Sequence, residues 1–218
     1  TKKDLESCKE LEFKIYHGTS SVFLESIKEQ GFGYRDNEIF NEEILKNLFE
    51  SLKHIDSEVT THYSWIVPAM LEGRFSYEGV FLTPSKSQAI RYASLNKLGE
   101  YLTVISDLYE ELLLHDKEKA NLIIPPEHKL QKIFQTQHIP ILISLNNFRT
   151  DELRGENGSP LTDVLEKIYR TYWDIKDENI EIDNEVFSTM MEQKDIIFFG
   201  NANYESIEIE YLDEDNIF

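Results

Sequence analysis

Strand-length apolar stretches, set far apart and separated by amphipathic helical patterns, restrict what this chain can fold into more than any other feature. Phe13-Lys14-Ile15-Tyr16 alternates in polarity, and Glu78-Gly79-Val80-Phe81-Leu82-Thr83 is a short apolar run stopped by Pro84. Residues 139–145 and the run Ile196-Ile197-Phe198-Phe199 read as buried strands. Ile207-Glu208-Ile209-Glu210-Tyr211 alternates again, and so do residues 179–187 through Ile180, Ile182 and Val186. The intervals carry helical patterns. Ser20 or Ser21 caps a helix with Val22, Phe23 and Ile27 on one face, ending at Gly31. Further helices are expected over 39–54, from a Ser85 cap through Tyr92 and Ala93, over 100–117, from Pro125-Pro126 onward, and over 160–173. His17-Gly18-Thr19-Ser20 reads as a turn and residues 149–159 as a polar loop, while residues 62–77 are left unassigned. The expected class is α+β, with mostly antiparallel strands and inserted helices.

A chain of 218 residues with 13 Phe, 11 Tyr and 2 Trp has material for one sizeable core, so disorder throughout is ruled out. No run approaches the ~18 apolar residues of a membrane span. The chain starts Thr-Lys-Lys-Asp with no signal-like run, which reads as a processed chain or a piece of a longer one. Its formal charge is −19, and residues 201–218 hold Glu205, Glu208, Glu210, Asp213, Glu214 and Asp215 with no basic residue. That sign opposes binding to a phosphate backbone and suits solubility or a basic protein partner.

Several chemistries are excluded by pattern. One cysteine, Cys8, makes no disulfide framework, and its acidic surroundings raise rather than lower a thiol pKa. His17, His54, His62, His115, His128 and His138 fall into no zinc-binding spacing. Gly-rich phosphate loops and the Gly-x-Ser-x-Gly elbow are absent from the sequence.

Three spaced elements remain. Tyr16-His17-Gly18-Thr19 ends a strand with an imidazole and a bare backbone that a flat ligand can approach closely. Gly79-Val80-Phe81-Leu82-Thr83-Pro84-Ser85-Lys86-Ser87, followed by Tyr92, sets one aromatic on a strand and another on a helix, a pair able to sandwich a planar heterocycle. Asn203-Tyr204-Glu205-Ser206-Ile207-Glu208 puts carboxylates at a late strand.

In this order the three elements resemble the ADP-ribosyltransferase family, in the branch of diphtheria toxin, the poly(ADP-ribose) polymerases and small bacterial ADP-ribosylating toxins. His17, Gly18 and Thr19 match its His-Gly-Ser/Thr motif. Residues 24–32 match the helix that follows, and Gly79, Phe81, Ser85-Lys86-Ser87 and Tyr92 match its second motif. Glu205, or Glu208 three residues on, matches its late glutamate. The resemblance spans 15–93 and 195–212. It departs from the polymerase pattern at Phe81, usually Tyr, and at Tyr92, two residues later from Ser87 than usual.

The resemblance implies a single domain over 1–218 with split antiparallel β-sheets, peripheral helices, and a helical insertion within 94–176. It implies cleavage of the nicotinamide–ribose bond of NAD⁺ without a metal and transfer of ADP-ribose to a macromolecular acceptor, protein favoured. His17 would bond the adenosine ribose, Gly18 the carboxamide, Phe81 and Tyr92 would pack on nicotinamide, and Glu205 would stabilise the developing cation. Thr19, Ser87, Arg35 and Arg91 are supporting candidates, the two arginines for the diphosphate. A cytoplasmic toxin or delivered effector, with an antitoxin or basic partner, is the expected setting. Three alternatives stay open: a degenerate module that holds NAD⁺, ADP-ribose or a partner protein without turnover, an RNA 2′-phosphotransferase-like enzyme, and an α+β interaction protein whose motifs are coincidental.

Overall fold

The computed structural model describes residues 14–55, 57–72, 79–145, 150–155, 159–177, 191 and 195–213. The chain clusters into two compact units. The first comprises Thr1–Tyr34, Glu78–Leu95 and Ile139–Phe218, and the second Arg35–Tyr77 and Asn96–His138.

The first unit holds all the described strands: β1 (Ile15–Ser20), β2 (Val80–Leu82), β3 (Pro140–Leu145), β4 (Leu153–Gly155), β5 (Ile196–Phe198) and β6 (Ile207–Tyr211). They form two antiparallel three-stranded sheets, ordered β1-β3-β6 and β2-β5-β4. The class is therefore α+β. Among the described residues a single pair of main-chain hydrogen bonds joins the sheets: Tyr16 N–H donates to the Thr83 carbonyl at 2.8 Å and Thr83 N–H to the Tyr16 carbonyl at 2.9 Å.

β3 is the central strand of its sheet, and its sequence shows why. Ile141, Ile143 and Leu145 join the main core with Ile15, Leu82, Ile196 and Phe198, while Leu142 packs on the other face against Ala89 and Ala93. A strand covered on both sides needs apolar residues at consecutive positions, which is what residues 141–143 supply. Around the sheets lie α1 (Leu24–Gln30) and two more helices of this unit, Lys86–Leu95 and Leu161–Asp177.

The second unit is helical among its described residues: α2 (Glu42–Leu52), α3 (Ser57–Tyr63), α4 (Ile66–Leu71), then, beyond α5 (Lys86–Leu95) of the first unit, α6 (Gly99–His115), α7 (Lys117–Ile123) and α8 (Lys129–Gln135). The ninth helix, α9 (Leu161–Asp177), returns to the first unit. In α2, Ile44, Leu45, Leu48, Phe49 and Leu52 are buried along one face. The helix starts where Asn41 Oδ1 accepts from Glu43 N–H at 2.9 Å, with Glu42 and Glu43 at its positive end. Asn41→Ala is expected to cost about 1 kcal/mol in urea denaturation, with the denaturant slope unchanged.

Four expectations need correction. Residues 17–20 are strand rather than turn, because each pairs with β3 from His17↔Ile143 to Ser20↔Pro140. A 3-10 turn (Ser21–Phe23) then leads into α1. The polar loop over 149–159 contains β4, held by β5 rather than by its own sequence. Pro125-Pro126 opens no helix: His128 N–H bonds the Pro125 carbonyl in a turn, and α8 starts after His128, whose Nδ1 accepts from Leu130 N–H. The helix α7 (Lys117–Ile123) was not expected as a separate element. The proposed strand over 179–187 lies outside the described residues.

Candidate functional site

The bond pair between Tyr16 and Thr83 fixes the direction of the backbone along this edge of β1. Tyr16 turns both its N–H and C=O away from β3 toward Thr83. Main-chain direction repeats every second residue in an antiparallel strand, so Gly18 turns both of its groups to the same side. No main-chain partner meets them there among the described residues. β2 has left β1 by this point: its Phe81 carbonyl is taken by the His17 ring, with Nδ1 2.8 Å from the oxygen. The two sheets thus part immediately after Tyr16 and Thr83. Buried Gly18 lines the gap with one donor and one acceptor side by side.

Helix α5 roofs this edge. A Cβ built on Gly18 would fall 1.8 Å from the Ala89 carbonyl oxygen and 2.8 Å from the Ala93 nitrogen. The glycine is therefore required by helix packing, a reason its motif does not disclose. Ser85 Oγ accepts from Gln88 N–H at 3.2 Å and caps the helix, and Ser87 Oγ lies 3.2 Å from Ser85 Oγ within the first turn. Gln88 Oε1 accepts from Thr83 Oγ1 at 3.1 Å, so that flank of α5 meets the end of β2. Tyr92 is one turn farther along the same flank, on the turn that covers Gly18, and is 41% exposed.

His17 and Thr19 occupy the opposite face of β1. The His17 ring meets Phe32 edge-on at 5.5 Å, and Phe32 stacks on Phe198 at 5.9 Å. Burial pulls the His17 pKa down to about 4, against the opposing pull of the Phe81 carbonyl, so the ring is neutral at physiological pH. A carbonyl only accepts, so Nδ1 carries the proton. Thr19 is half-buried, and its hydroxyl makes no hydrogen bond among the described residues.

Phe81 belongs to the second sheet. Val80 and Leu82 face the core, which puts the Phe81 side chain on the other face of β2, opposite Ile197 of β5. Continuing that register by one pair sets Asp195 against Thr83, the residue at the junction of the sheets. Two residues before Ile197, Asp195 shares the face of Phe81. It is half-buried. Its local signal is weak, a charge just before the run Ile196-Ile197-Phe198-Phe199.

Glu205 is not brought to this place. It is exposed on a 3-10 turn (Tyr204–Ser206) leading into β6, which is separated from β1 by β3. Two strand spacings make about 10 Å. The register Ile207↔Leu145↔Ile15 adds further separation by placing Glu205 beyond the start of β1. Glu208 pairs with Lys14 and Glu210 with Lys86, each at 2.8 Å. Arg35 falls in the second unit, its guanidinium 5.2 Å over the Phe40 ring, and Arg91 is exposed on α5.

No family model, curated protein or solved structure matches the chain. Among the described residues no group of three or more His, Cys, Asp or Glu is placed to hold a metal ion, and no helix is long and apolar enough to cross a membrane. A groove of about 600 Å³ between α2 and α7 in the second unit is lined by Asn41, Asn47, Glu50 and Leu122 among others, and holds none of the sequence-predicted site residues. Of the sequence-predicted site residues, His17, Gly18 and Phe81 meet at the gap beside Gly18. An adjacent N–H and C=O complement a primary carboxamide, and β2 with Phe81 and α5 with Tyr92 both adjoin β1.

Proposed function

We propose that the chain is an NAD⁺-dependent mono-ADP-ribosyltransferase whose two sheets are the split sheets of that family, with a macromolecular acceptor, protein favoured. The observation that carries this reading is the open main-chain edge of Gly18, set where the sheets part and framed by the His17–Phe81 hydrogen bond. Two motifs 64 residues apart meet there.

In this reading the nicotinamide carboxamide pairs with Gly18 N–H and C=O, and the ring packs against Phe81 and Tyr92. The C1′–N bond breaks and its electron pair leaves with neutral nicotinamide. Positive charge grows on the ribose, as in glycoside hydrolysis. A nucleophile of the acceptor then bonds to C1′ and gives up its proton. A carboxylate beside the ribose stabilises the cation, and we assign that part to Asp195 rather than Glu205, because Asp195 shares the Phe81 face at the sheet junction.

Release of nicotinamide from NAD⁺, followed with a lysate as acceptor, tests this. Asp195→Asn is expected to slow release about 100-fold, the effect of removing one preorganised electrostatic group, with Tm retained. Glu205→Gln is expected to stay near the parent rate. The reverse pattern would return the role to Glu205. Phe81, which lacks the hydroxyl of the usual Tyr, favours a second reading as a binding module. Calorimetric binding of NAD⁺ with no release in any lysate would establish that reading instead.

A further inference from the structure

A second open main-chain edge lies on β6, away from the gap at Gly18. Tyr16 turns its main chain away from β3, so its partner Ser144 turns away from β1 and toward β6. The hydrogen-bonded pairs of β3 and β6 are therefore Ser144↔Glu208 and Leu142↔Glu210, and Leu212 N–H continues them by donating to the Pro140 carbonyl at 2.9 Å. The residues between, Ile209 and Tyr211, turn both N–H and C=O outward, and no partner meets these groups among the described residues. The pairing runs without a bulge from Ile207 to Tyr211, and the stretch holds no proline, so nothing in the backbone blunts this edge. Ile207 and Ile209 pack on the core, and Tyr211 on the same face is exposed. Glu208 and Glu210 lie on the other face, where each holds one lysine yet keeps about half of its side chain exposed. Glu205 and Asp213 flank the strand, both exposed, and residues 201–213 carry no basic residue.

We propose that β6 is a docking edge that takes an extended basic segment of a partner protein as a fourth, antiparallel strand of the β1-β3-β6 sheet. The segment's main chain bonds Ile209 and Tyr211. Its lysines or arginines lie beside Glu208 and Glu210, and its alternate side chains continue the apolar face of Ile209 and Tyr211. Main-chain bonds supply affinity, and the alternation of charge selects the partner. A second copy of this chain is the wrong occupant. Two β6 strands paired about Ile209 set Glu208 directly opposite Glu210 on both sides, and like charges so placed repel. The same carboxylates attract a strand of opposite sign. This inference goes beyond the reading of the Gly18 gap and stands whether or not that gap takes a dinucleotide.

A fluorescent peptide of alternating lysine and valine, added to the whole chain, is the probe. Its controls are a glutamate–valine counterpart and the same peptide N-methylated at its valines, the residues that pair with Ile209 and Tyr211. In fluorescence polarisation at near-physiological salt both controls should bind at least ~10-fold more weakly than the probe. Tyr211→Pro removes an outward donor and no bond to β3, and should weaken the probe several-fold with Tm retained. Glu208→Gln/Glu210→Gln should weaken it too and flatten its salt dependence, which covers the case in which the proline variant does not fold. Hydrogen exchange places the contact: on addition of the probe the Ile209 and Tyr211 amides should slow at least ~10-fold, while those of Glu208 and Glu210 are protected throughout. Equal binding of the N-methylated peptide, or unchanged exchange at Ile209 and Tyr211, overturns the proposal. Absence of binding overturns it as well, and Ile209 and Tyr211 amides already protected without the probe would assign the edge to a second copy or to another segment of this chain.

Discussion

Gly18→Ala is expected to lower stability by at least about 3 kcal/mol, the upper part of the usual range for an overpacked site. In a chain of this length that is a Tm lower by roughly 6–12 °C. The added methyl would sit 1.8 Å from the Ala89 carbonyl oxygen, well inside van der Waals contact. The obstacles are main-chain atoms of α5, so no side chain can swing aside. Either α5 lifts off β1 or β1 bends away from β3. Ala89 and Ala93 already carry the smallest side chains that leave the helix intact, and they face Gly18 with Leu142 and Leu212 in the same small cluster. Substitution at 89 or 93 therefore brings no rescue. Differential scanning of parent, Gly18→Ala and the double variant Gly18→Ala/Ala89→Gly checks this. A loss under 1 kcal/mol, or recovery in the double variant, would show that α5 is not seated on the glycine.

The same packing explains which parts of the fold could be read from residues alone. β3 was legible because a two-sided burial leaves an uninterrupted apolar run, and β6 because Ile207 and Ile209 alternate with Glu208 and Glu210. β4 was not, since Leu153-Arg154-Gly155 offers one large apolar residue and owes its extension to hydrogen bonds with β5. His17-Gly18-Thr19-Ser20 has the composition of a turn, and only pairing with residues 140–143, more than a hundred positions away, keeps it extended. Composition cannot register a partner that distant.

Legibility of the site divides along the same line. His17, Gly18 and Phe81 are singled out by local motifs, and the structure brings them together. Tyr92 follows from helical spacing after a Ser85 cap that the sequence announces. The carboxylate is another matter. In a chain with 41 acidic residues, an acid at a strand end has little to distinguish it. Order in the chain points to Glu205, whereas its place in space depends on β6 joining the β1-β3 sheet on the far side. Asp195 gains its position from β5 pairing with β2, a long-range fact with no short-range trace.

His17 also ties the site to the acid stability of the fold. Its pKa falls from 6.5 to about 4 on folding because the ring is buried, while the unfolded chain takes up a proton near 6.5. Between these values the unfolded state binds more protons, so stability is full above pH 6.5 and drains away as the pH falls toward 4. At 1.36 kcal/mol per unit, the difference amounts to about 3 kcal/mol, reduced by whatever solvent screening a partly exposed ring receives. His17→Gln, which does not titrate, should lose this slope. Urea denaturation of both proteins at pH 7.5, 6.5, 5.5 and 4.5 isolates it, because carboxylates contribute alike to each. Asp36, for example, is pushed up by burial but held below 3.8 overall by the Glu38 N–H and the Lys129 ammonium, and so acts mostly below this window. The expected result is a parent that loses about 2–3 kcal/mol more than the variant between pH 7.5 and 4.5. Parallel curves would mean that the imidazole is protonated as easily in the fold as outside it. Below pH 6.5 the Phe81 carbonyl would then set no tautomer, since a charged ring donates from both nitrogens.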